Sequence, residues 1–294
     1  MSTLTPHTST YITERRRRGE ITQRSAKNLR YALDGLDQSL GHRPLGQLTR
    51  RAIDRWMETT GHLAPSTRRN HLAAARGFCR WMVACGLIEH DPTEGVARIP
   101  QPRSVPRAMT EADVATLWQR VPDVRARAIV ALMVGCGLRC VEVARLTVSD
   151  YDPDGGMLRV TGKAMHEREL PVPGEVGAAL DGYLRSVGGV MSGPLIRSTR
   201  STAHGLSAET ISTYMSRWMS EAGLKVGRWD GRSAHALRHT AASDVLDRCH
   251  DLRVVQEMLG HQHLSSTSIY LRRAGMAQLR EAMEGRYYRG RDAA

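Results

Sequence analysis

Residues 259–270 read Leu-Gly-His-Gln-His-Leu-Ser-Ser-Thr-Ser-Ile-Tyr, which places Tyr270 nine residues after His261. The segment His-Ala-Leu-Arg-His-Thr, which begins at His235 and contains Arg238, precedes both residues in the chain. Imidazoles, a permanently charged guanidinium and a phenol therefore lie within one short part of the sequence. This set of groups suits nucleophilic attack on a phosphate diester.

His235 and Arg238 are three residues apart near the predicted start of a helix, so both project from one face. The positive end of that helix adds affinity for an anion, which makes the pair a candidate phosphate pocket. Taken alone, His-x-x-Arg is a common pattern that more often has a structural role. His235 and His239 also have the spacing of a zinc pair, but no glutamate follows His235 and Arg238 would bring a cation beside the metal. We therefore predict no metal site.

Two further basic residues lie upstream. Arg139 occurs in Gly-Leu-Arg-Cys-Val-Glu142, a pattern that in isolation also fits a buried Arg–Glu pair with a structural role. Lys163 follows Gly162 between two strand-like runs. Only three of the 42 basic residues in the chain are lysines, so a lysine at this position is unexpected. Because a lysine releases a proton more readily than an arginine, Lys163 suits general acid catalysis.

These signatures resemble the active site of the tyrosine recombinases, the phage integrase and Xer-type family of site-specific DNA recombinases. They occur in the family's order and with its approximate separations across residues 107–271, and the N-terminal part is similar to the family's core-binding domain. The resemblance implies that Tyr270 attacks the scissile phosphorus, forms a 3′-phosphotyrosyl intermediate and frees a 5′-hydroxyl. The catalytic set that it implies is Arg139, Lys163, His235, Arg238, His261 and Tyr270.

The resemblance also implies a role for each partner of the tyrosine. Arg139 and Arg238 would clamp the non-bridging oxygens of the phosphate, and Lys163 would protonate the leaving 5′ oxygen. His235 would assist proton transfer at the tyrosine, while His261 would donate a hydrogen bond to the phosphate.

Two residues match supporting positions of the family. Glu142 would brace the first arginine, and His239 would support the site from behind the residues that touch DNA. Because the phosphotyrosine stores the bond energy and cationic side chains take the place of a divalent ion, we expect no cofactor, ATP or metal. The sequence accordingly lacks a GxxxxGK[ST] loop.

The composition favours a globular protein with a polyanionic partner. The 294 residues carry 42 basic and 30 acidic side chains, a formal charge of +12. Nucleic acid is the first candidate partner and an anionic membrane the second. No apolar run approaches the roughly 18 residues of a membrane span, and the N-terminal residues lack the basic-then-apolar pattern of a secretory signal. We therefore predict a cytoplasmic, nucleoid-associated protein without a membrane partner. Five scattered cysteines favour reduced thiols over a disulfide framework or a paired zinc site.

Residues 1–98 are predicted to form a helical, core-type DNA-binding domain. The stretch up to Pro106 carries 17 basic and 9 acidic residues, which is +8 of the total charge. Helical spacing covers residues 21–40, 48–59 and 66–86, in three or four amphipathic helices. The run Arg15–Arg18 fits either a solvated helix face or a phosphate contact. The candidate DNA-binding residues are Arg68, Arg69, Arg76 and Arg80.

Residues 99–106 form a proline-rich linker, and residues 107–294 a predicted catalytic domain of mixed composition. A capping-box layout at Thr110 opens its first helix. Strands at 157–161 and 169–172 form a hairpin around Lys163, and helices are predicted at 124–137, 174–186, 207–222, 235–246, 252–259 and 275–283. The fold class is mainly α with a small antiparallel sheet (α+β).

Met276, Leu279 and Met283 form an apolar stripe on the last predicted helix. The stripe fits either a core helix or an interface helix. In the family that this chain resembles, such a helix docks into a neighbouring subunit.

We therefore predict a recombinase that clamps double-stranded DNA at simple core sites and acts as a homotetramer on DNA, while the free protein is a monomer or a weak oligomer. We expect no further arm-binding domain, because the predicted core-binding helices begin within about the first twenty residues. The favoured interpretation is a phage or mobile-element integrase, which carries out viral genome integration. An accessory directionality factor is a candidate partner of such an integrase. The alternatives are a chromosomal Xer-type dimer-resolving recombinase, a catalytically inactive DNA-binding regulator and a relaxing type IB topoisomerase.

Overall fold

The computed structural model describes residues 3–42, 44–100, 108–162, 166–199, 203–227 and 232–260. The chain divides into two compact units, Met1–Arg103 and Ser104–Ala294. No helix within the described ranges is long and apolar enough to cross a membrane.

The first unit is built from helices. They are α1 (Leu4–Arg17), α2 (Gln23–Ser39), α3 (Arg50–Thr59) and α4 (Pro65–Ala84), with a 3-10 turn at Leu45–Gln47. The three helices predicted by spacing are confirmed to within about two residues at each end, because caps mark their starts: Thr22 and Thr49 accept hydrogen bonds from main-chain N–H groups three residues on. Helix α1 adds a fourth that the spacing did not delimit.

The apolar stripe of α4 supplies much of the core of this unit. Leu72, Ala75, Phe78 and Met82 are at most 2% exposed and pack with residues of the other three helices. Full burial of a side chain of this size contributes roughly 1.5–3 kcal/mol, so the stripe holds the helices together. The basic run at the end of α1 lies at the surface.

Seven helices and three strands are described in the second unit. The helices are α5 (Glu111–Arg120), α6 (Val124–Gly135), α7 (Cys140–Arg145), α8 (Gly174–Ser186), α9 (Ala208–Glu221), α10 (Ala234–Cys249) and α11 (Leu252–Leu259). The strands are β1 (Tyr151–Asp152), β2 (Met157–Thr161) and β3 (Glu167–Pro171), paired antiparallel in the order β1-β2-β3. The predicted fold class, mainly α with a small antiparallel sheet, is confirmed.

The predicted hairpin is confirmed, with both ends of its second strand shifted: β3 ends at Pro171, one residue before the predicted end. Strand β2 has the predicted bounds, but β3 begins at Glu167, two residues earlier than predicted, because Thr161 pairs with Glu167 in the register. The capping box at Thr110 is present: its N–H donates to Asp113 at 3.0 Å, and its hydroxyl accepts from the N–H of Asp113 at 3.1 Å.

Helix α6 forms the centre of the second core. Six of its residues between positions 128 and 133 are at most 6% exposed, so the helix is surrounded by other elements on all sides. It ends at Gly135, two residues before the predicted end, because Gly137 adopts a φ of +63°. This left-handed residue turns the chain between α6 and α7.

Candidate active site

A buried glutamate organises the site. Glu142 lies on the short helix α7, and 1% of its side chain is exposed. Its Oε1 accepts from Nη1 of Arg139 at 2.8 Å and from Nη1 of Arg168 at 3.3 Å. Its Oε2 accepts from the main-chain N–H of Arg139 at 2.9 Å, from Nη2 of Arg168 at 3.2 Å and from Nη1 of Arg238 at 3.4 Å. One carboxylate therefore holds three guanidinium groups, and a net positive charge remains.

The arginines keep Glu142 ionised although it is buried. Burial opposes the charged form, but the hydrogen bonds and charge of Arg168, the N–H of Arg139 and the charge of Arg238 outweigh it and hold the pKa of Glu142 below its usual range. A charged carboxylate can orient guanidinium groups by direct, charge-assisted hydrogen bonds. The cluster is thus fixed before any anion arrives.

Helix α10 brings Arg238 into this cluster from a distant part of the sequence. The side chain is 1% exposed, and its Nη1 donates to the carbonyl of Gly137 at 2.6 Å. Its Nη2 donates to the carbonyl of Leu259 at the end of α11. Arg238 therefore joins the turn after α6, helix α7 and helix α11.

The two predicted clamping arginines differ in accessibility. Arg139 lies directly before α7, and 35% of its side chain is exposed, against 1% for Arg238. A phosphate that approaches the cluster therefore meets Arg139 as the more accessible of the two guanidinium groups. The positive charge of Arg238 contributes to the field at the same place through its shared partner Glu142.

Two histidines lie one turn apart on α10, beside the arginine cluster. The rings of His235 and His239 contact each other edge to face, with 4.5 Å between their centroids. Burial, followed by the charges of Arg238 and Arg139, lowers the pKa of His235, although this residue still reaches the surface. Burial, His235 and Arg238 lower the pKa of His239 to about 4. Both rings are therefore neutral near pH 7, and a neutral imidazole can accept a proton.

Among the residues that the structure describes, no group of three or more histidine, cysteine, aspartate or glutamate side chains is placed to hold a metal ion.

The comparison with known sequences gives the family of this chain. The model of the phage integrase family matches residues 107–275. Tyrosine recombinase XerC of Shewanella amazonensis is 32% identical over 259 residues, which cover 85% of this chain and 86% of XerC. The chain belongs to the phage integrase family. It is a site-specific tyrosine recombinase, an enzyme that cleaves and rejoins DNA.

Solved structures share the fold of the recombinase. A lambda integrase dimer bound to a COC′ core site matches 99% of this chain and 81% of the integrase, with a TM-score of 0.76 at 20% identity. A lambda integrase tetramer bound to a Holliday junction matches 90% of this chain and 78% of the integrase, with a TM-score of 0.74 at 21% identity.

The structure brings five of the predicted site residues of the recombinase into one region: Arg139, Glu142, His235, Arg238 and His239. The predictions for Lys163, His261 and Tyr270 fall outside the described residues, as does the predicted stripe at 276–283. In the sequence, Lys163 follows Gly162 within the connection of β2 to β3, and His261 follows Gly260 at the end of α11.

One residue of the cluster escaped the sequence analysis. Arg168 lies on β3 with 12% of its side chain exposed, and its Nε donates to the carbonyl of Met258 at 3.0 Å. Strand alternation was an available signal, because Arg168 and the buried Leu170 are on the same face of β3. A charged residue on the inner face of a strand needs an opposite charge or hydrogen-bond acceptors beside it.

The four predicted DNA-binding arginines lie on α4 in the first unit. Nη1 of Arg69 donates to the carbonyl of Pro100 at 3.4 Å, and Nη2 of Arg76 donates to the carbonyl of Val96 at 2.6 Å. Arg80 is exposed and donates to the carbonyl of Arg76, one turn earlier on the helix. Two of these side chains thus hold the segment that follows α4, and contact with DNA stays a prediction for all four, including Arg68. The run at the end of α1 forms ion pairs of its own, with 2.8 Å between Arg15 and Glu20.

Proposed function

We propose that this recombinase cleaves duplex DNA by attack of the Tyr270 hydroxyl on the scissile phosphorus, with Arg139 and Arg238 as the cationic clamp of the phosphate. The observation that carries the proposal is the shared carboxylate: Glu142 accepts hydrogen bonds from both arginines, which are far apart in the sequence. A fixed pair of guanidinium groups can stabilise the negative charge that develops on a pentavalent phosphorane.

The proton balance of the step assigns roles to two further groups. As the bond from Tyr270 to phosphorus forms, the phenol proton leaves with the help of His235, whose lowered pKa keeps the ring able to accept it. As the bond from phosphorus to the 5′ oxygen breaks, Lys163 supplies a proton to that oxygen, and His261 donates a hydrogen bond to the phosphate. The products are a 3′-phosphotyrosine and a free 5′-hydroxyl, and attack by a 5′-hydroxyl reverses every transfer.

The proposed reaction consumes no ATP and uses no resident metal ion or cofactor. The covalent phosphotyrosine conserves the energy of the broken phosphodiester, so rejoining needs no external source. The net positive charge of the Glu142 cluster supplies the electrostatic stabilisation that a divalent cation provides in metal-dependent nucleases.

We further propose that residues 1–98 bind a core-type site, that residues 99–106 link them to a catalytic domain at 107–294, and that four protomers act on two sites. The likeness to a lambda integrase tetramer on a Holliday junction supports this assembly. The excess of basic residues in the first unit, including Arg68, Arg69, Arg76 and Arg80, supports the contact with DNA. An accessory directionality factor and a nucleoid location belong to the same proposal.

Integration of a phage or mobile element is the first candidate for the biological role. A second candidate, resolution of chromosome dimers, is favoured by the similarity to XerC along 85% of the chain. The two roles can be distinguished by capturing covalent protein–DNA complexes in cells of the source organism and sequencing the attached DNA. An integrase should map to an attachment site that adjoins its own gene, whereas a dimer-resolving enzyme should map to one chromosomal site elsewhere.

The chemical proposal is tested by the identity of the adduct. The purified chain is incubated with a nicked suicide substrate, and the covalent peptide is located by mass spectrometry. We expect the DNA 3′-phosphate on Tyr270. An adduct on another residue contradicts the assignment, and relaxation of supercoiled DNA without exchange between two sites favours the topoisomerase alternative.

A further inference from the structure

Arg168 joins three segments of the second unit through a single side chain. Its Nη1 and Nη2 donate to Oε1 and Oε2 of Glu142 at 3.3 and 3.2 Å, so the guanidinium spans both oxygens. Its Nε donates to the main-chain carbonyl of Met258 on α11. The end of α11 is close enough that a Cβ added to Gly260 would lie 3.0 Å from Nη1 of Arg168. Strand β3, helix α7 and helix α11 are thus held by one group.

The two oxygens of Glu142 serve different arginines. Oε1 binds the side chain of Arg139, and Oε2 binds the side chain of Arg238. Rotation of the carboxylate would therefore move both guanidinium groups at once. A planar fork that donates to both oxygens resists this rotation, because each of its two hydrogen bonds would have to break.

We infer that Arg168 is a positioning residue of the recombinase, which fixes the plane of the Glu142 carboxylate and through it the direction of Arg139 and Arg238 toward the scissile phosphate. This inference rests on the proposed function. The segments that Arg168 joins also lead to other predicted site residues in the sequence, because the connection before β3 contains Lys163 and the residue after Gly260 is His261.

The inference predicts that charge alone does not replace Arg168. A lysine ends in a point charge on a flexible stem, so Arg168→Lys preserves the positive charge and loses the rigid planar fork. Because a misplacement of about 1 Å at a reacting group can lower a rate on the order of 100-fold, we expect Arg168→Lys to slow single-turnover cleavage by about 10- to 100-fold. Affinity for the site in a gel shift should change by less than about threefold, because only 12% of the Arg168 side chain is exposed and its donors are directed at Glu142 and Met258.

The experiment compares the full-length wild type with Arg168→Lys, Arg168→Ala and a matched control on a nicked suicide substrate. The control is Arg159→Ala, which removes an arginine from the neighbouring strand β2, where Arg159 is exposed and opposite Glu169. It should cleave at nearly the wild-type rate. Arg168→Ala should be at least as slow as Arg168→Lys.

A second substrate separates positioning from a general structural role. A methylphosphonate at the scissile position replaces a charged non-bridging oxygen with a methyl group, so the phosphate depends less on aligned arginines. If Arg168 acts through Arg139 and Arg238, the deficit of Arg168→Lys should shrink by at least about fivefold on this substrate. An equal deficit on both substrates would show that Arg168 maintains the fold and not the clamp.

A double-mutant comparison keeps the inference testable if Arg168→Ala does not fold. In the background of Glu142→Gln, Arg168→Lys should add little to the loss of cleavage, because the group through which it acts is already altered. Independent losses that multiply would overturn the inference, as would unfolding of Arg168→Lys in circular dichroism.

The proposed function and the positioning role of Arg168 can be contradicted independently of each other. Adduct formation by Tyr270→Phe would contradict the chemistry, whatever Arg168 does. Loss of the adduct in Tyr270→Phe together with near wild-type cleavage by Arg168→Lys would contradict the positioning role alone.

Discussion

Arg238 and Glu142 form an ion pair in the interior of the recombinase, with 3.4 Å between Nη1 and Oε2 and 1% of each side chain exposed. Removal of one partner from such a pair leaves an uncompensated buried charge, which costs about 3–5 kcal/mol. Here the cost extends further, because Arg139 and Arg168 depend on the same carboxylate. The stability of this region and the geometry of the clamp are therefore coupled.

Glu142→Ala should lower the stability of the recombinase by about 3–5 kcal/mol, because it leaves three guanidinium groups without their shared anion. Urea unfolding followed by circular dichroism measures the shift. Glu221→Ala is the matched control, since Glu221 forms an exposed pair with Arg217 at 3.6 Å and 55% of its side chain is exposed. Its removal should cost no more than about 1 kcal/mol. Equal shifts for the two variants would contradict the central role of Glu142.

Gly137→Ala should destabilise the turn that presents its carbonyl to Arg238. Residue 137 has a φ of +63°, and a Cβ there would lie 2.6 Å from Cε of Met258 and 3.3 Å from Cδ2 of Leu259. The left-handed backbone alone costs an alanine roughly 1–2 kcal/mol. We expect a lower melting temperature and slower cleavage.

The control for this substitution is Gly182→Ala in the interior of α8, where a Cβ would meet no atom within 4 Å. That variant should gain up to about 1 kcal/mol, because alanine favours the helix. Opposite signs for the two glycines are the expected result. A melting temperature of Gly137→Ala at or above the wild-type value would count against the argument from the turn.

The elements of the second unit show which parts of this fold local sequence patterns could predict. The helices at 174–186 and 252–259 and the strand at 157–161 have the predicted bounds, because caps, glycines and alternation are local signals. Helix α7 has six residues and β1 has two, which are too few for a period to be visible. Both were missed.

In the candidate site, local sequence patterns likewise predict contacts between near neighbours in the chain but not contacts between distant segments. Arg139 and Glu142 are three residues apart, so their pairing was within reach of a local pattern. Arg168 is 26 residues from Glu142 in the chain, and its contact exists only because the sheet packs beside α7. The spacing of His235 and Arg238 marks Arg238 as a candidate phosphate ligand, and the resemblance to a family gives its role, whereas no motif points to Arg168.

Lys163→Arg should damage cleavage nearly as much as Lys163→Ala, because it retains the charge but loses a proton that can be transferred. A 5′-phosphorothiolate substrate, whose sulfur leaves without protonation, should restore cleavage by both variants. If it rescues neither, Lys163 binds DNA and is not the general acid.

Tyr270→Phe should keep DNA binding and lose all covalent capture, because it removes the nucleophilic oxygen with little change in shape. A denaturing gel of the reaction with a nicked suicide substrate detects the adduct, and a gel shift measures binding. A surviving adduct would move the nucleophile to another tyrosine, with Tyr287 or Tyr288 as the next candidates.

His239 should make the stability of the recombinase depend on pH below neutrality. Burial, His235 and Arg238 lower its pKa to about 4, from about 6.5 in an unfolded chain. The unfolded state therefore binds the proton more strongly, so this contribution is complete above about pH 6.5 and is lost as the pH falls toward 4. The melting temperature should drop between pH 7.5 and 5, and the drop should be smaller in His239→Gln.

The exposed His90 provides the comparison, since 85% of its side chain is exposed. His90→Gln should follow the wild-type pH profile. A direct measurement is the NMR titration of the His239 ring protons, which should show no protonation down to about pH 5. A midpoint near 6.5 would mean that the ring of His239 is solvated, and the pH dependence would then have to come from other groups.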